Sequence, residues 1–596
     1  MKLAPKHEID VKLLEKLRPL GLGESMAQRV ISHFGSPRLE MILFDLDPIK
    51  RNPYLLMDVE GISFKRADGI AMSLGITNDN DPRRRKALIK HTLEQNASLG
   101  HTYLPKPKLL KELKKARIFE ADDLLKEMLV DGELHISGSN NDEIFLLKYW
   151  MAEVGIASVL SARKQLGTTN DKITSPWLRN PVDDFPELKD DADQTNVILS
   201  FLGQKDIIIT GGPGTGKSHL TKIICKILDR TGQSYALCAP TGKAAKRLQE
   251  VTGHAAKTIH RFLGGTVETS HYSTFEWKYN AGNQITKYDT IVIDECSMLD
   301  VNLAWKLIQA IPNEVNLIFI GDVDQLAPIG PGAFFRDLIK SGITSTYWLK
   351  TNHRQGKGSL IAENALRINR GEMRLTMGDD LSFIEASNPI AAREKILNLI
   401  LKLAEDYPNM LEDVQVLSPQ KSTVVGVTAL NEMLRFELNP NAKSNQKFSV
   451  GDKVMQTRNN YKLQIFNGFC GIIADETKTD YLINFFGNDK QVKYPKSLSR
   501  SQLMLAYCCT VHKYQGSECK AGIIVISSSH TWMLTRNLIY TGITRFKEKC
   551  ILLADMMGLK RAIHNTKEQT RYSRLLEKLH EANIAPKHPI VSQGKK

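Results

Sequence analysis

Gly211-Gly212-Pro213-Gly214-Thr215-Gly216-Lys217-Ser218 fits the pattern G-x-x-x-x-G-K-[ST] at every fixed position. It follows a β-branched run, Ile207-Ile208-Ile209-Thr210, and opens an amphipathic run from Leu220 to Leu228. Strand, glycine loop and helix in that order form a phosphate cradle. Glycines let backbone N–H groups turn toward an anion, and the helix N-terminus adds a favourable dipole. In such a loop Lys217 reaches the outer phosphates of a nucleotide and the Ser218 hydroxyl holds Mg²⁺.

Two later strand ends extend the reading. Ile291-Val292-Ile293 runs into Asp294-Glu295, where one carboxylate can reach the Mg²⁺ and its neighbour can orient or deprotonate a water. Phe319-Ile320-Gly321-Asp322 leads to Gln325, a residue able to bridge a γ-phosphate and a neighbouring domain. Around these, short apolar runs at Tyr235–Ala239, Asn316–Ile320, Val414–Ser418, Ile523–Ile526 and Ile551–Ala554 alternate with helical stretches. That rhythm predicts an α/β fold of parallel sheets with crossover helices.

The chain has 596 residues, enough for roughly three to five domains of ~100–200 residues. Hydrophobic residues make up 42%, sufficient for real cores. No apolar run reaches the ~18 residues of a membrane span, and the first residues lack the apolar stretch of a signal peptide. A net charge of +14 favours a polyanionic partner. The eight cysteines are scattered without a C-x-x-C pair, which argues against structural zinc and for a reducing compartment.

Residues 1–180 read as helical. They hold two glycine-turn motifs, Leu20-Gly21-Leu22-Gly23 and Val59-Glu60-Gly61-Ile62-Ser63, each leading into a helix in the manner of a helix-hairpin-helix. Such turns present amides to a phosphate without reading sequence, although helix packing alone also accommodates them. The basic runs Arg83–Lys86 and Lys106–Arg117 fit either a DNA-facing or a solvated helix face. A proline-rich acidic stretch at 168–193 reads as a linker. Residues 181–345 form a first α/β domain, with a β-hairpin insertion at about 266–287. Residues 346–440 and 506–580 form a second, interrupted by a small β-barrel at 441–505. The tail 581–596 reads as disordered.

The motif order resembles that of superfamily 1 helicases, and its wording is closest to the long-form RecD-like members. Asp294–Met298 and Gly321–Gln325 resemble motifs II and III, and Ala239–Arg247 and Thr258–Arg261 resemble motifs Ia and Ib. Asn352–Gln355 resembles motif IV, Thr510–Glu518 motif V and Tyr540–Arg545 motif VI. Cys296 stands where the family has a small alanine, and the extra small domain that precedes the hairpins in those proteins is expected to be missing or minimal here.

The resemblance implies two RecA-like motor domains with ATP and Mg²⁺ between them, and a Src-homology-3-like barrel completing a channel over single-stranded DNA. Gln194 then matches the adenine-reading glutamine, Glu518 joins the nucleotide contacts, and Arg354 and Arg545 act as arginine fingers. The expected activity is 5′-to-3′ translocation on single-stranded DNA with duplex unwinding. Candidate strand contacts are Pro240, Thr241, Lys243, Thr258 and His260 on the first domain, with Thr510, His512 and Gln515 on the second. They combine hydroxyls and amides for phosphates with imidazoles able to stack. His512 equally fits a structural link between motif V and the nucleotide.

The insertion resembles the family's strand-separating pin, and Phe275, Trp277 and Tyr279 fit either a wedge or a packed hairpin core. Expected partners are single-stranded and junction DNA, with single-strand-binding, recombination or replication proteins as further ones. The chain is expected to be monomeric and cytoplasmic, bacterial or viral. A DNA-binding adaptor, or a motor subunit of a larger complex, is the alternative, motivated by the long N-terminal region. A relaxase or nuclease fusion has no His-x-His or acid cluster to support it.

Overall fold

The computed structural model describes residues 17–30, 47–166, 184–265, 277–353, 359–566 and 570–584, apart from positions 25, 28, 60, 77 and 190. Most of the expected linker, the insertion before Trp277 (Phe275 included), Arg354 and the last residues of the tail lie outside them.

The first motor domain is a six-stranded parallel sheet. Its strands are β4 (Asp206–Gly211), β5 (Tyr235–Ala239), β6 (Ala256–Thr258), β7 (Thr290–Ile293), β8 (Asn316–Gly321) and β9 (Ser345–Leu349), in the order β6-β5-β7-β8-β4-β9. Helices cover both faces, so central strands are apolar throughout rather than alternating. Ile208 packs with Ile291, Ile293 and Phe319 on one face, while Ile207 and Ile209 pack with Val292, Ile318 and Ile320 on the other. The helix Lys217–Arg230 buries Leu220, Ile223, Ile224, Ile227 and Leu228, one stripe at helical spacing.

The second motor domain repeats the design. Its strands are β10 (Leu381–Glu385), β11 (Val414–Ser418), β17 (Cys508–Thr510), β18 (Cys519–Ile526) and β19 (Phe546–Ala554), all parallel, in the order β10-β19-β18-β11-β17. The adjacent thiols of Cys508 and Cys509 are buried on opposite faces of this sheet. Between β11 and β17 the chain builds a five-stranded antiparallel sheet. Its strands are β12 (Lys453–Gln456), β13 (Cys470–Glu476), β14 (Asp480–Phe485), β15 (Val492–Pro495) and β16 (Leu503–Leu505), around a core of Phe448, Phe485 and Tyr494.

The N-terminal region is mainly helical, but it also carries a three-stranded antiparallel sheet absent from the sequence reading. β1 (Tyr103–Pro105) and β2 (Leu134–Ser137) flank β3 (Glu143–Leu146). Strands of three or four residues leave no readable alternation. The helix Leu147–Gln165 then docks on the first motor domain: Gly155 admits the Trp305 ring, and buried Arg163 forms a paired bond to Asp206 at 2.8 and 2.7 Å.

Only the end of the expected insertion falls within the described residues. Of the insertion, the described part from Trp277 is a turn with one bridge, Asn280 to Asn283, and Trp277 and Tyr279 pack against the first domain's core. The terminal helix Leu575–Ile584 also buries Leu575 and Leu579 in that first core. The helix from Leu575 thus packs with the first domain, whereas the sequence pattern carries the second domain to 580. An amphipathic helix shows that it has an apolar face but not which core receives it.

Candidate functional site: a nucleotide cleft between two motor sheets

Gly214 and Gly216 take φ of +81° and +80°, conformations that cost other residues a Cβ clash. A Cβ on Gly211 would lie 2.8 Å from the Leu349 carbonyl oxygen, so the loop start must also be bare. Lys217 folds back over the loop, its Nζ donating to the carbonyls of Gly211 (2.6 Å) and Gly212 (2.8 Å). Thr215 Oγ1 donates to the Gly212 carbonyl at 2.8 Å, fixing the turn.

Asp294 and Glu295 follow directly on β7. Glu295 sits at φ +54° and its N–H donates to Asp294 Oδ1 at 2.8 Å. Burial, reinforced by the Glu295 charge, raises the Asp294 carboxyl to about 6, against the opposing pull of Lys217. Asp322 follows on β8 and is 1% exposed, and burial raises its pKa as well. Its carboxylate accepts from Gln325 Nε2 at 3.2 Å and from the Tyr540 hydroxyl at 3.1 Å. Gln325 Oε1 is buried with no hydrogen-bond partner among the described residues.

These groups and the second sheet enclose a cavity of about 270 Å³. Gly216, Lys217, Ser218, Asp294, Glu295 and Gln325 line it from the first sheet, and Glu518 and Arg545 from the second. Arg545 is 2% exposed, its guanidinium held by the carbonyls of Thr541 (3.0 Å) and Ser517 (3.3 Å) and by Thr544 Oγ1 (3.1 Å). Glu518 pairs with Arg247 at 2.9 Å, an ion pair that crosses the cleft. Among the described residues no cluster of three or more His, Cys, Asp or Glu side chains could hold a metal. A hydroxyl and one carboxylate nevertheless suit Mg²⁺, which keeps waters and takes its other ligands from phosphates.

Gln194 is buried against the loop; a Cβ on Gly216 would lie 2.4 Å from its Nε2. His353 completes this corner. Its backbone N–H donates to the Gly214 carbonyl at 2.8 Å, and its Nε2 lies 3.3 Å from Gln194 Nε2 and bonds Asp191. Asp191 also caps the helix Ala192–Gly203 by accepting from the Gln194 N–H at 2.9 Å. His353, Asp191, Arg247 and Tyr540 were all missed by the sequence reading. His353, Arg247 and Tyr540 carried a signal, through their place in motifs IV, Ia and VI, whereas Asp191 carried none.

The candidate strand contacts fall into a repeated unit. Thr258 and Thr510 each end an edge strand, β6 and β17, and each caps a short helix, Ile259–Phe262 and Val511–Tyr514. Their hydroxyls accept from Arg261 N (3.2 Å) and Lys513 N (3.3 Å). His260 and His512 sit at equivalent positions in those helices. The His260 ring is 5.3 Å from Trp277, and burial lowers the pKa of His512. Thr241 caps the helix Gly242–Thr252, Pro240 is half-buried beside it, and Gln515 Nε2 is buried without a partner among the described residues. Lys243 reaches across to the second sheet, where its Nζ donates to Ser517 Oγ at 2.6 Å beside the Tyr514 ring.

Two RecA-like sheets closing on one phosphate loop define a P-loop motor. Family models agree along the chain: an AAA domain matches residues 194–331 and a UvrD-like helicase C-terminal domain matches 505–553. An ATP-dependent RecD2 DNA helicase HHH domain matches 6–103, and an ATP-dependent RecD-like DNA helicase SH3 domain matches 430–485. The ATP-dependent RecD2 DNA helicase of Deinococcus radiodurans is 30% identical over 588 residues, covering 96% of this chain and 78% of that protein. The RecD subunit of the RecBCD enzyme of Mycolicibacterium smegmatis is 26% identical, covering 64% of this chain and 74% of its own. A Bacteroides Pif1 helicase solved with ADP-AlF3 and ssDNA is a distant likeness, with TM-score 0.40, 16% identity, and coverage of 66% of this chain and 96% of that one. The chain belongs to the RecD2 family of DNA helicases. No helix of the described residues is long and apolar enough to cross a membrane.

Proposed function

We propose that the chain is an ATP-driven motor that runs 5′ to 3′ along single-stranded DNA and unwinds the duplex ahead of it. The observation that carries this reading is the shared cavity, with the phosphate loop and Asp294, Glu295 and Gln325 on one wall and Arg545 on the other. Backbone amides of 212–217 and Lys217 hold the phosphates, and Gln194 faces the base. Ser218 and Asp294 hold Mg²⁺, which neutralises charge on the outer phosphates. Glu295 orients the attacking water, and Gln325 and Arg545 stabilise charge on the transferring group. Arg354, which lies outside the described residues, is proposed as a second finger from its place in motif IV.

Closure around nucleotide pulls the two edge-strand units, with His260 and His512, toward each other. Release lets them part, and alternate grip converts this into a step. Pro240, Thr241, Thr258, Thr510 and Gln515 supply the remaining strand contacts, while Lys243 ties the sheets. The test is a forked duplex with a single tail: unwinding with ATP and Mg²⁺ from a 5′ tail supports the polarity, and unwinding only from a 3′ tail refutes it.

The adaptor reading has its own support. Leu20, Gly21, Ser63, Lys65 and Arg66 of the two hairpin turns line one cavity of about 610 Å³, suited to a DNA backbone. It predicts that helicase activity survives loss of residues 1–76 while DNA docking does not.

A further inference from the structure

A second large cavity, of about 740 Å³, opens where the N-terminal region, the loop after Gln325, motif V and the strap at 570–572 meet. That volume is in the range of a small-ligand site. Leu99, His101 and Lys108 line it from the N-terminal region, Ile329 from the loop, His512 from motif V and Tyr572 from the strap. No carboxylate lines it among the described residues.

Its character is that of a base-stacking groove. Ile329 and Leu99 are 74% and 62% exposed, a large apolar display for two residues facing one hollow. The Tyr572 ring lies 4.7 Å from His101, with the Lys108 ammonium 4.8 Å from the ring centroid. Burial, followed by the nearby Lys108 and Arg571 charges, brings His101 to about 4, and burial and Arg571 also lower His512. Both imidazoles are neutral flat surfaces at physiological pH. The positive charge comes from Lys108 and from Arg571, whose guanidinium is anchored on the carbonyls of Pro328 (2.7 Å), Gly330 (2.8 Å) and Gly332 (2.7 Å). Flat and apolar surfaces beside cations suit an unpaired nucleic-acid strand.

We infer that this groove is a subsite for an unpaired DNA strand, in which the N-terminal region forms a wall through Leu99 and Lys108. The inference rests on the helicase reading. It gives the N-terminal region a part in strand binding separate from the hairpin turns, since the groove begins at Ser98, well beyond the end of the second hairpin helix, Phe64–Ser73.

The test uses the full chain and a fluorescein-labelled oligothymidylate, read by anisotropy. Lys108→Glu and Leu99→Asp are expected to weaken binding about five- to tenfold each, with Lys108→Arg close to the parent. Leu99 is exposed and Lys108 half-buried, and circular dichroism checks that each variant folds. A 4-thiothymidine oligonucleotide should photo-crosslink to peptides containing 99–108 or 570–572. Parent-like affinity in both acidic variants, with no crosslink there, overturns the subsite and leaves the helicase reading standing. Failure of the parent to bind the oligonucleotide overturns both.

Discussion

Tyr540, on the helix Arg536–Ile543 of the second motor domain, donates its hydroxyl across the cleft to Asp322 Oδ2 at 3.1 Å. Asp322 in turn accepts from Gln325, so this cavity-lining glutamine and the second sheet share one buried carboxylate. Asn537 strengthens the joint by donating to the Asp324 carbonyl at 2.9 Å, and Leu326 N–H donates to Thr541 Oγ1 at 2.9 Å.

Removing the Tyr540 hydroxyl tests that joint. Tyr540→Phe keeps the ring packing and deletes one hydrogen bond to a charged group, worth about 1.5–3 kcal/mol. Unwinding per ATP consumed should drop several-fold, measured by parallel phosphate-release and strand-separation assays. An unchanged ratio would show that the bond carries no coupling.

Lys217→Ala leaves the loop without its ammonium. DNA-stimulated ATP hydrolysis should fall by on the order of 10²-fold or more, because charge on the outer phosphates is no longer met. Retained turnover would refute the site.

Arg545→Ala should leave nucleotide binding within a few-fold, by fluorescent-analogue titration, while kcat falls ~10³-fold. Loss of binding with kcat intact would make Arg545 an anchor rather than a finger. Because its guanidinium bonds backbone carbonyls in this state, Arg545→Lys should not rescue.

Glu153 is fully buried and accepts from Thr102 (2.7 Å), Ser573 (2.9 Å), Arg574 N (3.2 Å) and Lys578 (2.7 Å). Glu153→Gln leaves the Lys578 ammonium without its counter-charge, a loss of about 3–5 kcal/mol for a buried pair. The terminal helix should then become the first site of cleavage in limited proteolysis.

His530 is fully buried, and its Nδ1 accepts from the Ser527 N–H at 3.2 Å, which only the neutral ring can do. Burial holds its pKa at about 4, against 6.5 for the free side chain. Between those values the unfolded chain binds the extra proton, so stability is complete above about pH 6.5 and is lost as pH falls toward 4. Melting temperature should decline across that window, and more gently in His530→Gln.

The phosphate loop, the acid pair and the sheet strands were legible because each is local. A strand buried on both faces reads as an unbroken apolar run, and the loop glycines answer to backbone geometry alone. The bond between His353 and Asp191 was not legible, since it joins residues far apart in the chain: His353 stands in motif IV, but Asp191 stands in no recurring pattern. Lys243 is a subtler case. Its place in motif Ia suggested a phosphate contact, but only the folded chain brings Ser517 within its reach. The strap failed for a similar reason: Leu575 and Leu579 announce an apolar face and say nothing of its destination.

That strap alters how the molecule is wired. The polypeptide leaves the first body after Leu349, builds the whole second motor sheet, and returns to the first core at Leu575. The second sheet is thus a guest held at both ends, as in a domain inserted into a host. Two covalent tethers hold it at high effective concentration beside the first sheet, independently of the contacts across the cleft.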